Sequence, residues 1–181
     1  MLIILALIAV AVVWGIASYN GLVGLKVRTE NSWSDINVQL KRRYDLIPNL
    51  VSTVQGYAAH EKQLFAQVTE ARSKAMQAQG PQEKGSAESA LTNTVKSLFA
   101  IAENYPQLKA NENFLSLQQS LSQTEEAIQS SRRYYNAVVR DYNTKQSVIP
   151  DTFIAKIGGF TPKEFFQLES QEEAKTPKVS F

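Results

Sequence analysis

The chain has 181 residues, 44% of them apolar, with 19 basic and 17 acidic side chains and a net charge of +2. It has no cysteine, which excludes thiol catalysis, disulfides, iron–sulfur clusters and thiolate zinc sites. Both signs of charge are interspersed along the chain, so the one-sided positive field used for nucleic acid is missing and no nucleic-acid partner is expected.

Residues 1–25, MLIILALIAVAVVWGIASYNGLVGL, carry no charged side chain, and Leu2 to Ala17 is an unbroken run of apolar or small residues. A helix rising about 1.5 Å per residue needs roughly 20 residues to cross the hydrocarbon. Residues 2–23 meet that length if Ser18, Tyr19 and Asn20 lie at the interface, where tyrosine is favoured. No Lys or Arg precedes the run, as a cleaved secretory signal would require, so 1–25 reads as a transmembrane anchor. Gly15-Ile16-Ala17 keeps a cleavage site open as the alternative. The nearest basic residues, Lys26 and Arg28, follow the span, so a single pass is expected, with the N-terminus outside and the following domain in the cytoplasm.

From Asn31 onward the periodicity is helical. Trp33, Ile36, Leu40, Tyr44, Ile47, Val51, Val54 and Ala58 step by three or four, the spacing of one buried face, and Leu64, Val68, Ala71 and Ala75 continue it. One helix over 28–78 would be about 75 Å long. Proline 48 removes a backbone bond and crowds the carbonyl of Tyr44, so a kink or break is expected near it. Gly80-Pro81 and Gly85 read as breakers, with Ser86 capping a helix over 86–103 that Tyr105-Pro106 stops. Asn111 reads as an N-cap. Behind it Phe114, Leu117, Leu121, Thr124, Ile128, Ser131, Tyr135, Val138 and Tyr142 form a heptad seam of the kind used in bundles and coiled coils.

Past Pro150, short helical turns are expected, one of them starting at Thr161-Pro162 with Glu164 behind it. Phe153, Ile154, Phe160, Phe165 and Phe166 are expected to pack back onto the bundle. The polar residues 169–181 read as a disordered tail. The architecture is therefore all-α: an anchor over 1–25, a bundle domain of three to four antiparallel helices over 26–168, and the tail.

Catalytic constellations are sparse. His60 is the only histidine, and Leu64 stands where a helical zinc motif needs a second one, so no metal is expected. Phosphate-cradling glycine loops and a nucleophile elbow are absent from the sequence, so neither a cofactor nor a small-molecule substrate is expected. The interior-looking polar groups are Arg42, Arg43 and Asp45 on the first helix, with Pro48 beside them. On the third helix they are Glu125, Arg132, and the pairs Tyr135-Asn136 and Tyr142-Asn143, seven residues apart and hence on one face. They read as a buried polar layer in which an arginine of the first helix meets a carboxylate of the third. The alternative is an exposed patch for a protein partner or lipid headgroups.

These residues resemble the LemA family. The resemblance rests on Tyr19-Asn20, Trp33, KRRYDLIPNLV (41–51), Tyr57, His60-Glu61 and Ala71-Arg72, then on Tyr105-Pro106, Leu108 to Asn111, Phe114, Leu117, Leu121, Glu125, Ile128 and Arg132. It closes with Tyr135-Asn136, Tyr142-Asn143 and Pro150, while Asn37 stands where the family pattern has an aspartate. The resemblance implies a bacterial cell-membrane protein with one transmembrane helix and a cytoplasmic four-helix up-and-down bundle. It also implies no established catalysis or cofactor, and a relative among magnetosome membrane proteins. The expected function is a non-enzymatic scaffold for an unidentified protein partner, with homo-oligomerisation left open. A membrane-surface organiser touching lipid headgroups, or an enzyme with an unrecognised carboxylate site, are the alternatives.

Overall fold

The computed structural model describes residues 1–167, all helical or irregular, with no strand among them. The expected end of the bundle domain at residue 168 and the disordered tail over 169–181 lie outside the described residues. The helices are α1 (Leu2–Gln55), α2 (Lys62–Gln77), α3 (Gly80–Ala102), α4 (Pro106–Lys109), α5 (Glu112–Ser147) and α6 (Asp151–Ile157). They group into two compact units: Met1–Asn37 with Gln129–Phe165, and Val38–Ile128 with Phe166 and Gln167.

In the second unit the chain runs up and down. Contacts between Tyr44 and Ala75, between Lys84 and Ala75, and between Phe99 and Phe114 pair α1 with α2, α2 with α3, and α3 with α5, each antiparallel. Periodicity sets the buried faces: Leu40, Tyr44, Ile47 and Val54 of α1, Leu64, Val68, Ala71 and Ala75 of α2, and Leu91, Val95, Leu98 and Ala102 of α3 are buried. Phe114, Leu121, Thr124 and Ile128 supply the face of α5. Asn111 caps α5 as its residue type predicts, its Oδ1 accepting from the Phe114 N–H at 3.0 Å.

The boundaries differ from the sequence reading in three places. Helix α1 passes through Pro48 without interruption and ends at Gln55, so the break falls at residues 56–61. There the Tyr57 and Ala58 N–H groups both turn back to the Val54 carbonyl. Helix α3 begins at Gly80 rather than at Ser86, because Pro81 suits a first helical turn and Glu83 reaches back to accept from the Gln79 N–H at 3.0 Å. Gly85 is therefore not a breaker but sits inside α3. A Cβ there would stand 1.9 Å from the Gln167 carbonyl oxygen, so only glycine lets the C-terminal chain cross the helix at that point. Beside that crossing Phe166 is fully buried.

In the first unit, Met1–Asn37 and Gln129–Phe165 pack together, with Trp33 against Tyr135 at 5.3 Å between ring centroids. Leu2 to Trp14 are bare, and burial on α1 begins at Ser18 and Leu22. Helix α1 is, among the described residues, the one long and apolar enough to cross a membrane. No helix starts at Thr161: residues 161–167 form an irregular strap that follows α6 through Gly159, whose φ of +67° is a left-handed turn. Of the aromatic set expected to pack inward, Phe166 is buried and Phe160 half-buried, but Phe153 and Phe165 are exposed.

Candidate functional site

Two polar clusters absorb most of the residues singled out in the sequence. The first lies in the second unit and centres on Glu88, one turn before Leu91 on the buried face of α3. Arg43 donates to it at 3.0 Å, and also to Thr92 Oγ1 at 2.8 Å. The same guanidinium lies 3.3 Å from Glu125 of α5. The Tyr44 hydroxyl donates a short hydrogen bond to the other Glu88 oxygen. Lys84 donates to the Ala75 carbonyl at 2.8 Å and stands over the Tyr44 ring.

Burial shapes the proton affinities here. Desolvation raises the Glu88 carboxyl above its ordinary range, while the Tyr44 hydrogen bond and the Arg43 and Lys84 charges pull it back. Burial, reinforced by the Glu88 charge, also holds the Tyr44 phenol far above its usual value. Tyr44 thus stays a donor throughout the physiological range.

Proline 48 has a role in this cluster that goes beyond bending. It has no N–H, so the Tyr44 carbonyl, four residues earlier, loses its donor within the helix. Arg72 of α2 supplies the missing bond, donating from Nε at 2.8 Å. The KRRYDLIPNL motif and Ala71-Arg72 are therefore two halves of one contact between helices.

The second cluster lies in the first unit, where α5 holds the strap by its backbone. Asn143 donates from Nδ2 to the Lys163 carbonyl at 2.9 Å and accepts the Lys163 N–H on Oδ1 at 2.9 Å. Gln146 fixes that amide by donating to its Oδ1 at 3.1 Å. Tyr135 donates to the Glu164 carbonyl at 2.8 Å, and Tyr142 to the Thr161 carbonyl at 3.1 Å. Burial, with the Glu164 charge, pushes the Tyr135 phenol up to about 12. Burial and the charge of Glu30 raise Tyr142 as well.

Of the other sequence candidates, Arg42 and Asp45 present their side chains to solvent, and Arg132 and Asn136 are half-buried. Glu88, Lys84, Thr92 and Arg72 were missed as members. The signal for Glu88 was present, since Glu88, Leu91, Val95, Leu98 and Ala102 alternate steps of three and four. Exposed His60 lies in the α1–α2 turn, and no group of three metal-ligating side chains occurs among the described residues.

Fold and clusters together define an all-α, membrane-associated helical protein whose polar motifs fasten its own elements. The family model described as LemA family matches residues 32–181, and the chain belongs to that family. Among its relatives is the protein named "Magnetosome protein MamQ 2" of Paramagnetospirillum magneticum, 26% identical over 175 residues, covering 82% of this chain and 64% of the relative. "Magnetosome protein MamQ" of Magnetospirillum gryphiswaldense is 28% identical over 174 residues with the same coverage. "Protein LemA" of Metamycoplasma hominis is 27% identical over 120 residues, covering 64% of this chain and 53% of the relative. The chain thus spans just under two-thirds of the length of the magnetosome relatives.

Proposed function

We propose that the chain is a single-pass, non-enzymatic membrane protein whose helical bundle is a cytoplasmic scaffold for a protein partner. The observation that carries this reading is the engagement of Arg43, Tyr44, Glu88, Tyr135, Tyr142 and Asn143 with the protein itself. Groups held in this way are satisfied donors and acceptors that fix packing, and a reacting molecule would have to displace them. The bare apolar stretch of α1 supports insertion, and Lys26 and Arg28 behind it support the cytoplasmic side for the bundle. Relatives named as magnetosome proteins support work at a membrane rather than chemistry in solution.

A C-terminal fusion to a reporter that is active only outside the cytoplasm is expected to stay silent; activity there would overturn the orientation. For the scaffold role, residues 1–25 would be exchanged for an unrelated spanning helix. The partner captured by the natural chain should still be captured. Its loss would move recognition from the bundle to the anchor.

A further inference from the structure

The end of the first unit nearest the anchor carries an apolar surface that the scaffold reading leaves unused. Ile149, Phe153 and Ile157 are 78%, 59% and 85% exposed, with exposed Val148 beside them. Phe153 and Ile157 lie four residues apart on one face of α6, and Val148 and Ile149 are bare in the irregular corner before it, so this short segment carries an apolar stripe. Single exposed apolar residues need no explanation, but a contiguous stripe on a short element does.

The position of α6 along α1 supplies the explanation. A Cβ at Gly15 would lie 3.7 Å from Ile154 Cδ1, Ser18 donates to the Asp151 carboxylate, and Tyr19 meets Phe160 edge-on at 5.5 Å. All of these residues belong to the first unit. The charge-free stretch Leu2–Leu25 holds 24 residues. A membrane span takes roughly 20 of them, and every such span drawn from this stretch contains Gly15, Ser18 and Tyr19. Whatever touches those residues lies at membrane depth. Around those positions α1 is itself bare and apolar at Val12, Val13 and Ile16, so the stripe adjoins the apolar surface of the anchor.

We infer that α6 and the corner before it are a second membrane-contacting element, sunk beside the anchor into the boundary between headgroups and acyl chains. Charge placement fits that depth. Asp151 is neutralised by Lys145 at 3.5 Å and accepts from Ser18, so the acidic group does not enter lipid unpaired. Exposed Lys156, on a long aliphatic stem, can keep its ammonium at the phosphate level while the stripe faces inward. An interfacial element needs this combination of an apolar face and a basic flank. The occupant of the stripe is phospholipid, and the consequence is a first unit held on the membrane by two elements instead of one.

The inference rests on the spanning reading of α1, and the absence of native cysteine allows both to be tested separately in the full-length chain. Val10→Cys, Val38→Cys, Phe153→Cys and Ile157→Cys would each be spin-labelled and reconstituted into vesicles of phosphatidylcholine and phosphatidylglycerol. Accessibility to oxygen, which concentrates in lipid, is compared with accessibility to a water-soluble nickel chelate. Labels at 153 and 157 are expected to match the oxygen preference at 10 and to lose the nickel accessibility seen at 38. Nickel accessibility at 153 and 157 with a lipid-exposed label at 10 overturns the inference and leaves the anchor intact. Nickel accessibility at 10 overturns the spanning reading itself. Labels at 153 and 157 shielded from both reagents would mean that protein, such as a second copy, covers the stripe, and would also overturn it.

Discussion

The two polar clusters solve similar problems with opposite chemistry. In the Glu88 cluster, charged side chains of α1 and α3 meet away from water with half-exposed Glu125 of α5 beside them, and each group depends on the identity of the others. In the strap cluster, neutral side chains of α5 grip main-chain carbonyls and an N–H, which residue types elsewhere in the strap do not change. A buried charge stranded without its partner is costly, whereas a neutral bond lost near the surface is partly replaced by water. Each cluster has one side in a conspicuous sequence motif, yet the first is expected to be intolerant of substitution on both sides and the second on one side only.

The largest expected effect follows from stranding Arg43. Glu88→Ala should lower unfolding free energy by about 3–5 kcal/mol, read as a shift in denaturant midpoint at constant slope. Glu125, half-exposed and 3.3 Å from the same guanidinium, can absorb part of that loss. A change no larger than that of a surface substitution would erase the contrast between the clusters. Next comes the proline contact. Arg72→Ala leaves the Tyr44 carbonyl without a donor and should cost about 1–3 kcal/mol. Pro48→Ala restores an N–H four residues on, so the double variant should lose less than the sum of the two singles, and strict additivity would refute the pairing.

The helices were legible because a buried face repeats every three or four residues, and α1, α3 and α5 all carry that signal. Asn111 announced its cap for the same local reason. What was not legible depended on register between distant segments. Arg43 and Glu88 are 45 residues apart, and no local pattern states that they face each other. Pro48 was read as removing a backbone bond, crowding the Tyr44 carbonyl and bending the helix, but Arg72, which bonds that carbonyl, lies on the next helix, out of reach of local reasoning. The strap failed for a different cause. Thr161-Pro162 with Glu164 has the composition of a helix start, and bonds from Asn143, Tyr135 and Tyr142 override that preference.

The strap supplies the two smaller tests. Asn143→Ala should speed hydrogen exchange of the Lys163 amide and cost about 1–3 kcal/mol. Lys163→Ala should change stability by no more than about 0.5 kcal/mol, since only its backbone is held. Equal effects would mean that the strap is read by side chain after all. The last test uses the Tyr135 proton, which its bond to the Glu164 carbonyl requires. The folded phenol titrates near 12 against an ordinary 10.0, so the folded state keeps its proton longer than the unfolded chain. Its stabilising contribution is therefore complete below pH 10 and falls away as pH rises from there through 12. Tyr135→Phe should be slightly less stable at neutral pH and should lose less stability over that alkaline interval. Because raised Tyr44 and Tyr142 titrate as well, the comparison of slopes carries the result, and identical slopes would show that this proton does not hold the strap.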